Sequence, residues 1–250
     1  MQQQQCDEAA GPDPVYGETW VYESIVGALP GIDLTDWQAV LLQIAIFEVA
    51  LLFLAWAYDL WNAALAGTAA VFVAAVGSLA MVRLGEETRS LALPESYLRL
   101  LFGSSIEVVL AVLAFIALVT HLFVFDPERA ANPLVETLFG EQPDVIPVYL
   151  MLLVLWDLCY RIGTSWWASV VALWRSYRFT FDGETAAELR RIDLTNVAFG
   201  LAQLVLVPFI LDRPVLLFAV GGHVVAVTVV STLAVLALTV ETGGEKQVVD

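Results

Sequence analysis

The chain is poor in positive charge. It holds a single lysine, Lys246, and 11 basic residues against 27 acidic ones, for a formal net charge of −16. A surface of that sign repels polyanions, which excludes nucleic acid as a partner. Charge of either sign is scarce: 15% of the residues are charged, against roughly 25% in a soluble domain. Cysteine is nearly absent. Cys6 lies in a polar N-terminal stretch and Cys159 in an apolar run, so no disulfide framework is expected. The opening "MQQQQCDEAAGPDP" has no basic n-region, no apolar core and no cleavage pattern. It is expected to be a disordered tail rather than a signal peptide or a lipoprotein leader.

Catalytic signatures are missing too. There is no H-E-x-x-H, no G-x-S-x-G and no phosphate-cradling loop. Cys159 sits in apolar surroundings that do not activate a nucleophile. His121 and His223 read as hydrogen-bonded packing residues, and no spacing makes a metal site. No catalytic residue, cofactor or metal is therefore expected.

What the chain has is apolar length. It is 59% hydrophobic, with a mean hydropathy of +0.77. Six runs can be drawn: Trp37 to Trp61, Asn62 to Arg83, Pro94 to Phe125, Ile146 to Trp174, Ala186 to Leu211 and Pro214 to Val240. Each reaches the roughly 20 residues that cross a bilayer. In lipid they must be helices, because an exposed backbone finds no water to bond. The predicted fold is all-α and integral to the membrane, a six-transmembrane-helix bundle with short interfacial helices. Residues 1–36 form a tail with an amphipathic helix, 37–240 the bundle and 241–250 a second tail.

Local signals support the boundaries. Thr35 and Gln38 in "TDWQ" make a capping box before span one, and Thr185 and Glu188 in "TAAE" another before span five. Pro94 and Pro214 suit a first helical turn. Asp182-Gly183 marks the turn between spans four and five. Span two carries a stripe of Gly67, Ala70, Ala74 and Gly77, which predicts close helix packing. Two short amphipathic segments lie outside the spans. One has Val21, Tyr22, Ile25 and Leu29 on a single face. The other is "NPLVETLFG", with Asn132 as cap and Gly140 as stop. Either lies at the interface or packs on loops. No internal repeat supports an inverted-repeat transporter.

Orientation follows from the basic residues. Eight of them, from Arg83 to Lys246, fall on the side of both termini, and only Arg129 and Arg213 on the other. That bias predicts cytoplasmic termini.

Four ionisable residues fall near mid-depth: Glu48, Glu107, Asp157 and Arg161. Each charge there costs roughly 2.5–3.5 kcal/mol on insertion scales. Such residues face the bundle interior and find partners. Asp157 and Arg161 are four apart, so they share a helix face and can pair. Thr164, Ser165 and Ala168 continue that face, beside an aromatic stripe of Trp156, Tyr160 and Trp167. Span five carries Asp193, Asn196, Gly200 and Gln203 at helical spacing. Arg161 can neutralise one carboxylate; Glu48 and Glu107 then have no basic partner at that depth. If they face one interior, a proton or a cation must sit between them. Protonated glutamates bonding between helices would leave the same sequence trace.

The excess of arginine over lysine, the acidic exterior and the Ala/Val-rich spans resemble membrane proteins of halophilic archaea. The stretch "DLCYRIGTSWWASVVALWRSYRF" resembles uncharacterised multi-pass proteins of such organisms. The resemblance implies a plasma-membrane location and no activity. No span carries a lysine for a Schiff base, so nothing matches the rhodopsins. The functional expectation is passage or coupled transport of a cation, proton or small solute. Its candidate polar site is Glu48, Glu107, Asp157, Arg161, Asn196 and Gln203. The rivals are a non-transporting membrane subunit or scaffold and, more weakly, a lipid-directed enzyme. The expected partner is the lipid bilayer, with a protein partner or homo-oligomer left open.

Overall fold

The computed structural model describes Trp20 and residues 35–241. Cys6, the amphipathic face from Val21 to Leu29 and Lys246 lie outside the described residues. Among the described residues, six helices are long and apolar enough to cross a membrane: Trp37–Tyr58, Trp61–Ser90, Glu95–Arg129, Val145–Arg178, Gly183–Phe209 and Pro214–Ala237. These are spans one to six of an all-α integral membrane bundle. Broad apolar side chains such as Phe53, Trp56 and Phe218 point outward, where lipid replaces water. The sole sheet among the described residues is one short parallel pairing, Thr180–Phe181 with Thr239–Val240. It ties the turn before span five to the end of span six.

The helix ends show which local signals win. Thr35 accepts from the Gln38 N–H while the Gln38 side chain accepts from the Thr35 N–H, a complete capping box. Span one stops at Asp59, which turns left-handed with φ 55°. Span two runs seven residues past the expected Arg83, to Ser90, because polar residues continue a helix once it leaves lipid. Span four likewise extends to Arg178. The expected Thr185 cap is replaced by Asp182, whose carboxylate accepts from the Glu184 and Thr185 N–H groups, both at 3.0 Å. The aspartate three residues upstream reaches both orphan donors, so span five begins at Gly183. Pro94 and Pro133 are caps rather than first-turn residues, which moves the expected Asn132 cap by one. Gly140 ends the short helix Leu134–Phe139 with φ 85°, a conformation that favours glycine.

Two spans depart from the uniform helices expected. Span three is a short helix Glu95–Phe102, a break at Gly103 to Ser105, then Ile106–Thr120. Ser105 is left-handed, with φ 54°. The span then widens into a π turn, His121–Phe125, where the Asp126 N–H reaches back five residues to the His121 carbonyl. Span five tightens into a 3-10 segment, Gln203–Phe209. Pro208 lies inside it; proline donates no backbone bond and clashes with the preceding turn of an α-helix.

Spans two, four and five form the main core with Glu95–Phe102, around Val73, Leu158, Leu189 and Phe199. Trp20 joins it: its ring lies 5.0 Å from that of Phe102, and its indole N–H donates to the Leu101 carbonyl at 3.2 Å. Span one packs on span two, and span three packs on span four. The glycine stripe of span two works as predicted. A Cβ at Gly77 would stand 2.8 Å from the Phe199 ring, and one at Gly67 would overlap the Leu51 side chain.

Candidate functional site

Span four holds a polar seam on its buried face. Asp157, Arg161, Ser165 and Ser169 recur every four residues, and Arg175 closes the row about 27 Å along the helix axis. All five are buried. Arg161 donates to Asp157 at 3.0 Å. Ser165 donates to the Asn196 side-chain oxygen at 2.7 Å, and the Asn196 amide donates back to the Ser165 carbonyl and to Ser169. Ser231 of span six donates to Ser169 at 3.1 Å. At the side of the termini, Arg175 donates to Asp193 at 2.7 Å and to the Tyr97 hydroxyl at 3.3 Å.

Span four therefore binds spans three, five and six through polar contacts: Tyr97 on span three, Asp193 and Asn196 on span five and Ser231 on span six. Buried ion pairs of this kind contribute little net stability against an apolar replacement, yet removing one member is costly. Arg175 lies one residue past Trp174, the expected end of span four, yet it does not face water. It is wholly buried, because the helix runs past Trp174 and Asp193 faces it from span five.

The remaining expected site residues stand apart. Glu48 accepts from Thr68 at 2.8 Å, between spans one and two. Glu107 lies where spans three and four meet. The carbonyl of Glu107 and the backbone of Ala111 press against Gly163, where a Cβ would be 2.9 Å from the Ala111 nitrogen. Glu107 is fully buried, and neither carboxyl oxygen has a hydrogen-bond partner among the described residues. Gln203 is equally buried, and both polar atoms of its side chain are unpartnered. No hydrogen bond or ion pair among the described residues joins Glu48, Glu107 and Asp157 to one another. The structure thus brings together Asp157 with Arg161 and Asn196 with the serines. Among the described residues, no hydrogen bond or ion pair links all six into one network.

A different feature lies in the half of the bundle away from the termini. A cavity of about 630 Å³ opens between all six spans, span five contributing the end of its 3-10 segment. Its volume falls within the roughly 300–1,000 Å³ of small-molecule sites. Its walls are apolar and its small residues make the room: Ala63, Ala66 and Gly67 on one side, Ala114 and Ala117 on the other. The short helix Leu134–Phe139 covers it with Leu134, Val135 and Leu138. That amphipathic segment therefore packs on the bundle; Val135 is buried against Leu122 and Leu216. Asp126 anchors the cover. It accepts from the Leu134 N–H at 2.6 Å and from Arg213 at 3.3 Å. Both irregular stretches border this space. His121 and Leu122 belong to the π turn, and Leu206, Pro208 and Phe209 to the 3-10 segment. Widened turns of this type occur frequently at functional sites.

Among the described residues, no three of His, Cys, Asp and Glu cluster as metal ligands would. To its hydrophobic surface the cavity adds the thiol of Cys159, the hydroxyl of Thr137, the imidazoles of His121 and His223, and the charged Asp212 and Arg213. Among the described residues, no hydrogen bond links Cys159, His121, His223 and Asp212 to one another. Sequence reasoning missed it. The available signals were Pro208 inside an apolar run and the alanines facing one another across it.

No curated protein and no solved structure matches the chain. A family model does match, over residues 15–234, well beyond half of the sequence. The chain is an integral membrane protein that belongs to the family of unknown function DUF7530.

Proposed function

We propose that the protein binds a small apolar solute inside the membrane and serves its passage or delivery. The observation that carries this is the 630 Å³ apolar cavity, walled by residues of all six spans and covered by a short helix. Of the solutes the sequence left open, this site suits an apolar one best, because entry of a bare ion into such walls is prohibitively costly. The arginine bias supports a reading in which the termini face the cytoplasm, in a plasma membrane. The acidic exterior suits concentrated salt.

The test uses the full chain in liposomes with a diazirine-bearing alkanol, photolysed and mapped by peptide mass spectrometry. Adducts should fall on Ala117, Leu122, Met151 and Ala219, which line the cavity. Ala114→Phe and, from the opposite wall, Ala63→Phe should remove them while thermal unfolding stays cooperative. Adducts confined to lipid-facing positions such as Phe53 and Phe218, unchanged by either plug, would overturn the proposal. The seam would then stand as scaffold, its polar groups fixing helix register for a partner subunit.

A second reading is favoured by Glu107, a fully buried carboxyl without a hydrogen-bond partner among the described residues. Under it, Glu107 responds to a proton or cation during solute passage. A reporter of internal pH in liposomes should show flux in the wild type and none with Glu107→Gln. Equal flux in both would refute it.

A further inference from the structure

We infer that the cavity selects neutral molecules that carry one hydroxyl on an apolar body, and that His223 of span six reads this hydroxyl. This rests on the solute-binding reading above. His223 lines the cavity, and its Nε2 is buried with no hydrogen-bond partner. Buried polar atoms are almost always partnered, so an orphan on a cavity wall points to a group that arrives from outside the chain.

The neighbouring polar atoms do not supply that partner. The Thr137 hydroxyl donates to the Pro133 carbonyl at 2.7 Å, and Arg213 is engaged by Asp126. No other side-chain atom on the cavity wall is both fully buried and unpartnered among the described residues. A hydroxyl both donates and accepts, so it satisfies Nε2 in either imidazole tautomer. A pure hydrocarbon would leave Nε2 orphaned. An anionic head would find its nearest cation, Arg213, already paired, and would enter apolar walls uncompensated. The ligand class is therefore a long-chain or cyclic alcohol rather than an alkane or a carboxylate.

The experiment competes the same photolabel with octanol, octane and octanoate at equal mole fractions in the membrane. One hydrogen bond at Nε2 is expected to make octanol compete about fivefold better than octane. Octanoate at neutral pH should compete least. His223→Leu should keep the cavity labelled but bring octanol and octane together. His223→Gln, which retains a donor and an acceptor, should keep the preference for octanol and serves if the leucine variant does not fold. Octanol and octane competing equally in the wild type would overturn this inference and leave the cavity reading standing. So would a preference that survives His223→Leu. If no competitor acts and the cavity residues carry no label, both fall together.

Discussion

Gly163 sets the distance between spans three and four, and its replacement gives a sharp test of the packing. An added Cβ would meet the Ala111 nitrogen at 2.9 Å, the Glu107 carbonyl at 3.0 Å and the Ala111 Cα at 3.2 Å. Carbon contacts are optimal at about 3.5–4.0 Å. All three neighbours are backbone, so no rotamer change can relieve the overlap, and the two helices must part by about half an ångström. Forced overpacking of this kind costs about 1–3 kcal/mol. A glycine-to-alanine change also raises helix propensity by about 0.8–1.0 kcal/mol, which would mask part of the loss. Gly221 supplies the reference: it is also helical, and a Cβ there meets nothing within 4 Å. Propensity cancels in the difference between Gly163→Ala and Gly221→Ala. That difference should be about 1–3 kcal/mol, with Gly163→Ala the less stable. Reversible unfolding by denaturing detergent in mixed micelles measures it. Gly163→Val should fall further, because a β-branched side chain cannot fold back from the contact. Equal stabilities within about 0.5 kcal/mol would show that spans three and four do not meet as described.

Three further outcomes follow from the polar contacts. Arg175→Met leaves Asp193 buried without its cation and should destabilise the bundle by about 3–5 kcal/mol; adding Asp193→Leu should recover most of that loss in the same unfolding assay. Asp126→Ala removes the acceptor for the Leu134 N–H and should speed amide exchange over Leu134–Phe139 by at least about tenfold, with spans two and four unchanged. Asp182 lies outside the spans, and hydrogen bonds from Thr185 first, then Glu184, hold its carboxyl below the ordinary aspartate range. Its stabilising effect is therefore present above the unfolded pKa and is lost as pH falls through the lower folded value. Asp182→Asn keeps an acceptor that does not titrate, so the wild type's advantage over it should shrink below about pH 4, read as the difference in Tm.

The spans were legible because hydrocarbon imposes one rule on every residue of a run. Thr35 and Gln38 were legible for the same reason of locality: the box closes within four residues. What lay beyond local reach was lost. The π turn at His121–Phe125 and the 3-10 segment at Gln203–Phe209 have the apolar composition of the α-helices around them. Only Pro208 marked a departure.

The Asp157–Arg161 pair could be seen from its spacing. The partners of Arg175, by contrast, are Asp193 and Tyr97, 18 and 78 residues away in sequence. Asn196 was singled out as polar, yet its contact with Ser165 and Ser169 depends on how spans four and five cross. The cavity was the least legible feature. A void arises where helices diverge between small residues and where a separate segment closes over them, and no single stretch of sequence records that.

The cavity is proposed to take an apolar, hydroxyl-bearing molecule. Anomalous diffraction from crystals grown with an alkanol brominated at its far end tests it most directly. A bromine peak is expected among the apolar side chains of the cavity, with the hydroxyl within hydrogen-bond distance of His223 Nε2. Bromine found only along the lipid-facing surface, with the cavity filled by ordered water, would contradict it.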